Sequence, residues 1–256
     1  MKDMKRKHLA PGTLEAPIPP AMVTVGDIEN SNVLTVAWTG ILATQPPRTY
    51  VSIRPSRHSH AILKEKGEFV INLPSVDLAK KVDFVGIYTG AKLDKFERCG
   101  FTKQESQHVA PPTIGECPVA LECRVCDIIP MGTHDVFIAD IVGVSCHESL
   151  FDEEGKLHFE RADLLAYAHG EYYSLGEVVG RFGFSTDKAK KYDKTKKNAE
   201  KTLKNKEKVA QSKQNNAEKK DKKPFYESAP RGKTVKKKAS DKNKGAPHGR
   251  KRADKK

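Results

Sequence analysis

The sequence predicts a mainly β domain, a closed antiparallel barrel with a few peripheral helices, followed by a disordered basic C-terminal tail. Three observations lead there. Short β-branched and aromatic runs recur between residues 22 and 175, separated by Gly, Pro, Asn and Asp turns. Helical periodicity is confined to brief stretches. From Thr186 onward large apolar residues nearly vanish and lysine takes their place.

After a Pro-rich lead (Pro11, Pro17, Pro19, Pro20), residues 22–25 read as a strand. Gly26-Asp27 and Asn30-Ser31-Asn32 supply turn chemistry, so residues 33–38 form the second arm of a hairpin. Thr39-Gly40 breaks that strand, and the Pro46-Pro47 turn leads into another over 49–53. Ser59 reads as the cap of a helix over 61–66. Residues 68–73 are a strand that Pro74 ends. Ser75 caps a second helix, whose buried face holds Leu78, Ala79, Val82 and Val85, and Tyr88 to Gly90 stop it. A short helix over 94–98 follows. Pro111-Pro112 opens a loop, and residues 120–128 form a strand. In the longer strand over 135–145, Val136, Ile138 and Val142 alternate with Phe137, Ala139 and Ile141. Apolar residues on both faces predict burial on both sides, as in a barrel wall packed against a partner. Residues 151–156 (FDEEGK) are a turn. Strands over 164–167 and 172–175, joined by His169-Gly170, complete a pattern that favours a closed barrel.

The net charge of +13 hides a division. Residues 186–256 hold 27 Lys and Arg against 9 Asp and Glu, a net +18, while residues 1–185 hold 19 against 24, a net −5. The chain therefore divides into an N-terminal extension (1–15), one domain of ordinary size (16–185) and a tail (186–256). The tail is too polar to offset its ordering entropy; residues 187–223 read as transiently helical and 224–256 as disordered. A flexible arm of that charge binds polyanions with strong salt dependence. Three roles stay open: a solubilising appendage, a tether to nucleic acid or the ribosome, and a docking arm for an acidic redox protein. No apolar run is long enough to span a membrane, and the basic N-terminus leads into no signal-peptide core. Five cysteines, an odd number, argue for reduced thiols, and a cytoplasmic location is expected.

Residues 32–60 concentrate the chemistry. Trp38 offers a flat aromatic plate, and Arg54, Ser56, Arg57, His58, Ser59 and His60 crowd into seven positions. Arginine forks and serine hydroxyls suit a phosphate, and the free N–H groups of the helix that follows favour an anion. Together they fit a flat ligand bearing a phosphate. Strand alternation puts Arg54 and Ser56 on one side and turns Arg57 away. The plainer reading is a solvated basic surface beside a core tryptophan. For Asn32, it is a turn former bonding its own backbone.

The runs 33–39, 46–56, 69–74 (FVINLP) and 90–96 (GAKLDKF) resemble, in order and over about residues 21–184, the flavin reductase-like family of FMN-binding split barrels, and within it the flavoredoxin branch. The resemblance implies a homodimer that binds FMN non-covalently near the subunit interface. It places Asn32 among the flavin contacts and sets Trp38 and Thr39 along the ring, with Gly40 allowing close backbone approach. It assigns Arg54, Ser56, Arg57, His58 and Ser59 to the phosphate and ribityl chain, and Lys92 to the ring or phosphate. Tyr167, with His169, approaches from the partner subunit. No catalytic residue follows. The implied function is electron transfer from NAD(P)H or a reduced redox partner through FMN to an acceptor. The alternatives are a flavoredoxin-type carrier without its own nicotinamide site, and a non-catalytic protein tethered to nucleic acid. NAD(P)H-dependent members show a Gly-Asp-x-x-His-like signature late in the barrel. Here His169-Gly170-Glu171-Tyr172-Tyr173 stands instead, which resembles the flavoredoxin branch.

Two further patterns carry less. Cys123-Arg-Val-Cys126 has CxxC spacing, but positions three apart on a strand face opposite sides, and a closed zinc site needs four convergent ligands, so no metal is expected. His134-Asp135 reads as turn chemistry.

Overall fold

The first strand, β1 (Ala21–Gly26), is buried along its whole length, because it is covered on both faces and paired along both edges. In this computed structural model, residues 4–186 are described, together with 201, 204 and 208. The chain forms two units, Met1–Gly180 and Arg181–Lys256. In the second, Lys201, Lys204 and Lys208 are helical; the expected helix over 187–223 and disorder over 224–256 otherwise lie outside the described residues.

β2 (Ser31–Val36) returns from β1 through a turn in which Asp27 Oδ1 accepts the N–H groups of Glu29 and Asn30. Gly26 has φ +96°, and a Cβ there would lie 2.1 Å from the Asn30 carbonyl oxygen. Gly26→Ala is therefore expected to cost about 2–4 kcal/mol, read as a lower denaturation midpoint at unchanged slope.

Ala37 and Trp38 form a bend, and β3 (Thr39–Thr44) runs into β4 (Pro47–Ile53). The break expected at Thr39-Gly40 falls two residues earlier, because Thr39 pairs with Val51 and its hydroxyl donates to the Tyr50 carbonyl (2.6 Å). Next come α1 (His58–Lys66), β5 (Glu68–Leu73), a 3-10 turn over Val76–Leu78, α2 (Ala79–Ile87) and α3 (Lys95–Cys99). The loop expected around Pro111-Pro112 joins a two-residue ribbon, β6 (Lys103–Gln104) with β7 (Thr113–Ile114). The long hairpin of β8 (Val119–Pro130) and β9 (Asp135–Cys146) and the ribbon of β10 (Leu165–Ala168) with β11 (Glu171–Ser174) end the unit.

Seven strands make one antiparallel sheet in the order β2-β1-β5-β8-β9-β4-β3. Its two edges are consecutive in the chain. They are joined by the bend, and Leu34 and Val36 of β2 share one core with Val51 and Ile53 of β4, so the sheet curls round into a barrel. Alternation sends Val23, Val25, Leu34, Val36, Phe69, Ile71, Phe137 and Ala139 into the barrel. Met22 and Val33 point outward, against Val82 and Val85 of α2 and Phe96 of α3. The burial expected on both faces of β9 is not met within one chain. Phe137 and Ala139 are enclosed, whereas Val144 is 64% exposed. Cys123 is buried and Cys126 exposed, on opposite sides of β8, and all five cysteines are free thiols. Among the described residues no helix is long and apolar enough to cross a membrane.

Candidate functional site

Two hollows adjoin at the end of β4 and share Leu34, Arg54 and Arg57 in their walls. One, of about 220 Å³, is lined by the bend residues Ala37 and Trp38, by Ser52 and Ile53, and by His134. The other, of about 340 Å³, is lined by Asn32, Ser56, His58, Ser59, Lys95 and the Tyr88–Thr89–Gly90 turn.

The shared arginines follow from where β4 stops. Ile53 is its last residue, and residues 54–57 form a turn closed by the Arg57 N–H on the Arg54 carbonyl (3.0 Å). Strand alternation no longer applies there, so Arg57 faces the hollows as Arg54 does rather than turning away. Ser59 is not the helix cap. The cap position belongs to Arg57, and α1 starts at His58 with no side-chain cap and no acid in its first turn. Ser59 lies inside that turn, 1% exposed, and its Oγ accepts a bond from Asn32 Nδ2 (2.6 Å). The first N–H groups of α1 are thus uncapped by side chains, as an anion site requires. Asn32 binds across to α1 rather than to its own backbone. It is wedged by Gly90, where a Cβ would lie 2.1 Å from Asn32 Oδ1.

Of the two lysines in GAKLDKF, Lys92 is exposed and lines neither hollow. Lys95 lines the larger one. Asp94 caps α3 by accepting from the N–H groups of Phe96 and Glu97, which fixes Lys95 in the first turn beside buried Phe96. The Lys95 ammonium donates to the carbonyls of Val33 and Val85 (2.8 Å each), leaving one N–H uncommitted. Burial, and then the charge of Arg57, push its pKa down to about 8. An aspartate cap just ahead of a lysine and an apolar residue is the signal that separates Lys95 from Lys92.

His134 was also missed. Its ring sits 4.6 Å from that of Trp38, centroid to centroid, at 48°, and its Nδ1 bonds the Thr133 hydroxyl (2.9 Å). Burial, and then the Arg54 charge, hold the imidazole below its ordinary pKa. Only the β4–β9 pairing, Ile53 opposite Asp135, brings it here, and no local pattern encodes that register. Trp38 itself is 40% exposed and forms a wall rather than core.

Thr39, Gly40 and Tyr167 do not reach the two hollows. Thr39 lines a third cavity with Tyr50 and residues 12–15, on the far side of Ala37 and Trp38, which it shares with the first hollow, and Gly40 sits in β3 opposite Tyr50. Tyr167 pairs through its backbone with Ile18, and its ring meets Tyr172 edge-on at 5.3 Å. His169 lies in the exposed β10–β11 turn. Among the described residues no three His, Cys, Asp or Glu side chains converge on a metal position.

The donor set has one sign. Two arginines, a lysine, two histidines and serine hydroxyls line the hollows, and no carboxylate does. That chemistry fits a phosphate joined to a flat group, so the residues present fit FMN. Above pH 8, as Lys95 loses its proton, affinity of the flavin-free protein for inorganic phosphate is expected to fall. Lys95→Met should remove that pH step and weaken binding about tenfold, measured by calorimetric titration.

The flavin reductase like domain matches residues 14–176, from the lead into β1 to just past β11. An uncharacterized protein of Archaeoglobus fulgidus is 35% identical over 136 residues, which are 53% of this chain and 77% of that protein. Flavoredoxin of Desulfovibrio vulgaris (Miyazaki F) superimposes with a TM-score of 0.67 at 32% identity, over 71% of this chain and 100% of its own. An FMN-binding protein from Thermus thermophilus, solved with 1-cyclohex-2-enone bound, gives 0.58 at 26% identity, over 71% of this chain and 99% of its own. The chain belongs to the flavin reductase-like family.

Proposed function

We propose that this protein binds FMN non-covalently across the paired hollows and passes electrons through it to an acceptor, drawing them from a reduced redox partner or from NAD(P)H. The observation that carries this reading is the sharing of Arg54 and Arg57 between a carboxylate-free phosphate hollow and one walled by Trp38 and His134. Bound FMN would supply the redox chemistry. The chain's own residues hold and screen it. Arg54, Arg57, Ser56, His58 and the first turn of α1 bind the phosphate, and Lys95 adds charge from beneath. The Asn32–Ser59 bond keeps α1 in register with β2. Trp38 and His134 exclude water from one side of the ring.

A carrier without its own nicotinamide site is favoured by one feature: His169-Gly170-Glu171-Tyr172-Tyr173 stands where NAD(P)H-dependent members show a Gly-Asp-x-x-His-like signature. We also assign a homodimer to the uncovered wall of β9, with Tyr167 and His169 approaching the ring hollow of the other protomer. The +18 tail serves as an electrostatic tether to a polyanion or an acidic partner; retention on a polyanion column that survives deletion after Ser185 would refute it.

The test is the visible spectrum of the purified protein, followed by anaerobic NADH or NADPH. A bound flavin that bleaches within seconds makes it a nicotinamide-dependent reductase. One that bleaches only with dithionite or a reduced protein makes it a carrier. No flavin, and none taken up from added FMN, refutes both.

A further inference from the structure

The site residues are held from below by a buried pair that touches neither hollow. His60, in the first turn of α1, is 6% exposed, and its Nε2 lies 2.8 Å from Asp135 Oδ2. The two side chains are 8% and 15% exposed. The imidazole packs edge-on against Phe137 in the barrel core, 5.3 Å between centroids at 72°. Successive residues of a helix diverge by about 100°, so α1 grips β2 through Ser59 and β9 through His60 at the same turn.

Asp135 is a junction. It opens β9, lies opposite Ile53 in β4 and Pro130 in β8, and directly follows His134. Ile53 directly precedes Arg54. One hydrogen bond therefore ties the helix carrying His58 and Ser59 to the strand ends that carry Arg54 and His134. A leucine at position 60 would pack against Phe137 without desolvating an imidazole and a carboxylate, and buried ionisable pairs seldom outperform an apolar replacement in stability. What apolar contact lacks is direction.

We infer that His60 and Asp135 are positioning residues that set α1 against the β4–β9 edge, so that the phosphate hollow and the Trp38–His134 wall hold one mutual geometry. This rests on the flavin reading of the hollows. Neither residue touches the ligand; each acts through the groups that do.

The experiment compares the full chain with H60L, which removes the bond and keeps the bulk, and with H60Q, whose amide nitrogen can stand where the imidazole Nε2 stood. FMN affinity of flavin-free protein is read by fluorescence quenching, folding by thermal unfolding, and wall geometry by the emission of Trp38, the chain's only tryptophan. H60L is expected to melt cooperatively, to bind FMN about ten- to a hundredfold more weakly, and to shift Trp38 emission; H60Q should return to within about threefold of the parent. An H60L variant that binds like the parent overturns the inference, as does an H60Q variant as weak as H60L. If H60L does not fold, Asp135→Ala cuts the same bond from the other side, and parental affinity there overturns it equally. A parent that takes up no FMN refutes the flavin reading instead. The pair is then judged on flavin-free protein, where an emission unchanged by H60L overturns it and a shift reversed in H60Q supports it.

Discussion

Arg54→Ala combined with Arg57→Ala is expected to strip FMN from the protein while leaving the barrel folded. Both arginines are exposed and lie outside regular strands, in the turn between β4 and α1, and they form the common wall of the two hollows. A hydrogen bond to a charged group contributes about 1.5–3 kcal/mol, so losing both should weaken binding about a hundred- to ten-thousandfold. The unfolding midpoint of the flavin-free variant should stay within a few degrees of the parent or rise slightly. Burial depresses Lys95 first and the Arg57 charge adds to it, so removing Arg57 should move its pKa up from about 8. Dialysis followed by the flavin-to-protein absorbance ratio gives the readout. A double variant that retains stoichiometric flavin would place the site somewhere other than these hollows.

Gly90→Ala should act nearly as strongly through a residue with no side chain. Its Cβ would lie 2.1 Å from Asn32 Oδ1, 2.6 Å from Cγ and 2.9 Å from Nδ2. Asn32 is only 7% exposed and cannot retreat while its amide binds Ser59. The methyl group must displace Asn32, breaking the β2–α1 tie, or push the 88–90 turn outward and deform the phosphate hollow. The expected result is a loss of stability of about 1–3 kcal/mol and a drop in FMN affinity of at least about tenfold. Asn32→Ala removes the obstacle. In the Asn32→Ala, Gly90→Ala double variant the two effects should therefore be strongly non-additive, measured by a thermodynamic cycle on both stability and affinity. Additive losses would mean that Gly90 acts on something other than Asn32.

The strands were legible because each is short, β-branched and bounded by turn residues: residues 68–73 coincide with β5, and 22–25 lie inside β1. The knot of residues 54–59 was legible as a cluster of cations and hydroxyls that lines one hollow, because charge and hydroxyl density survive any local geometry. Side-chain direction was not. Strand alternation carried past Ile53 turns Arg57 the wrong way, and a cap at Ser59 falls where the helix has already begun. Both errors concern an element boundary: β4 ends at Ile53, four residues before Arg57, and α1 starts at His58 rather than 61, and such a shift redirects every side chain near it. The choice between Lys92 and Lys95 turned on helix α3, whose Asp94 cap is local and readable. The approach of His134 turned on pairing between strands more than 80 residues apart, which nothing in its neighbourhood announces.

Crowding Arg54, Arg57 and Lys95 around one hollow has an outcome beyond affinity. Burial, and then the charge of Arg57, lower the Lys95 pKa to about 8, and an empty site leaves that charge repulsion unanswered. An anion relieves it, so the loaded protein should outlast the empty one against heat and proteases. Ligand at a hundredfold excess over its Kd adds about 2.7 kcal/mol to folding. In a living cell a margin of that size governs how long a polypeptide persists. Flavin supply would then regulate not only how active this protein is but how much of it there is.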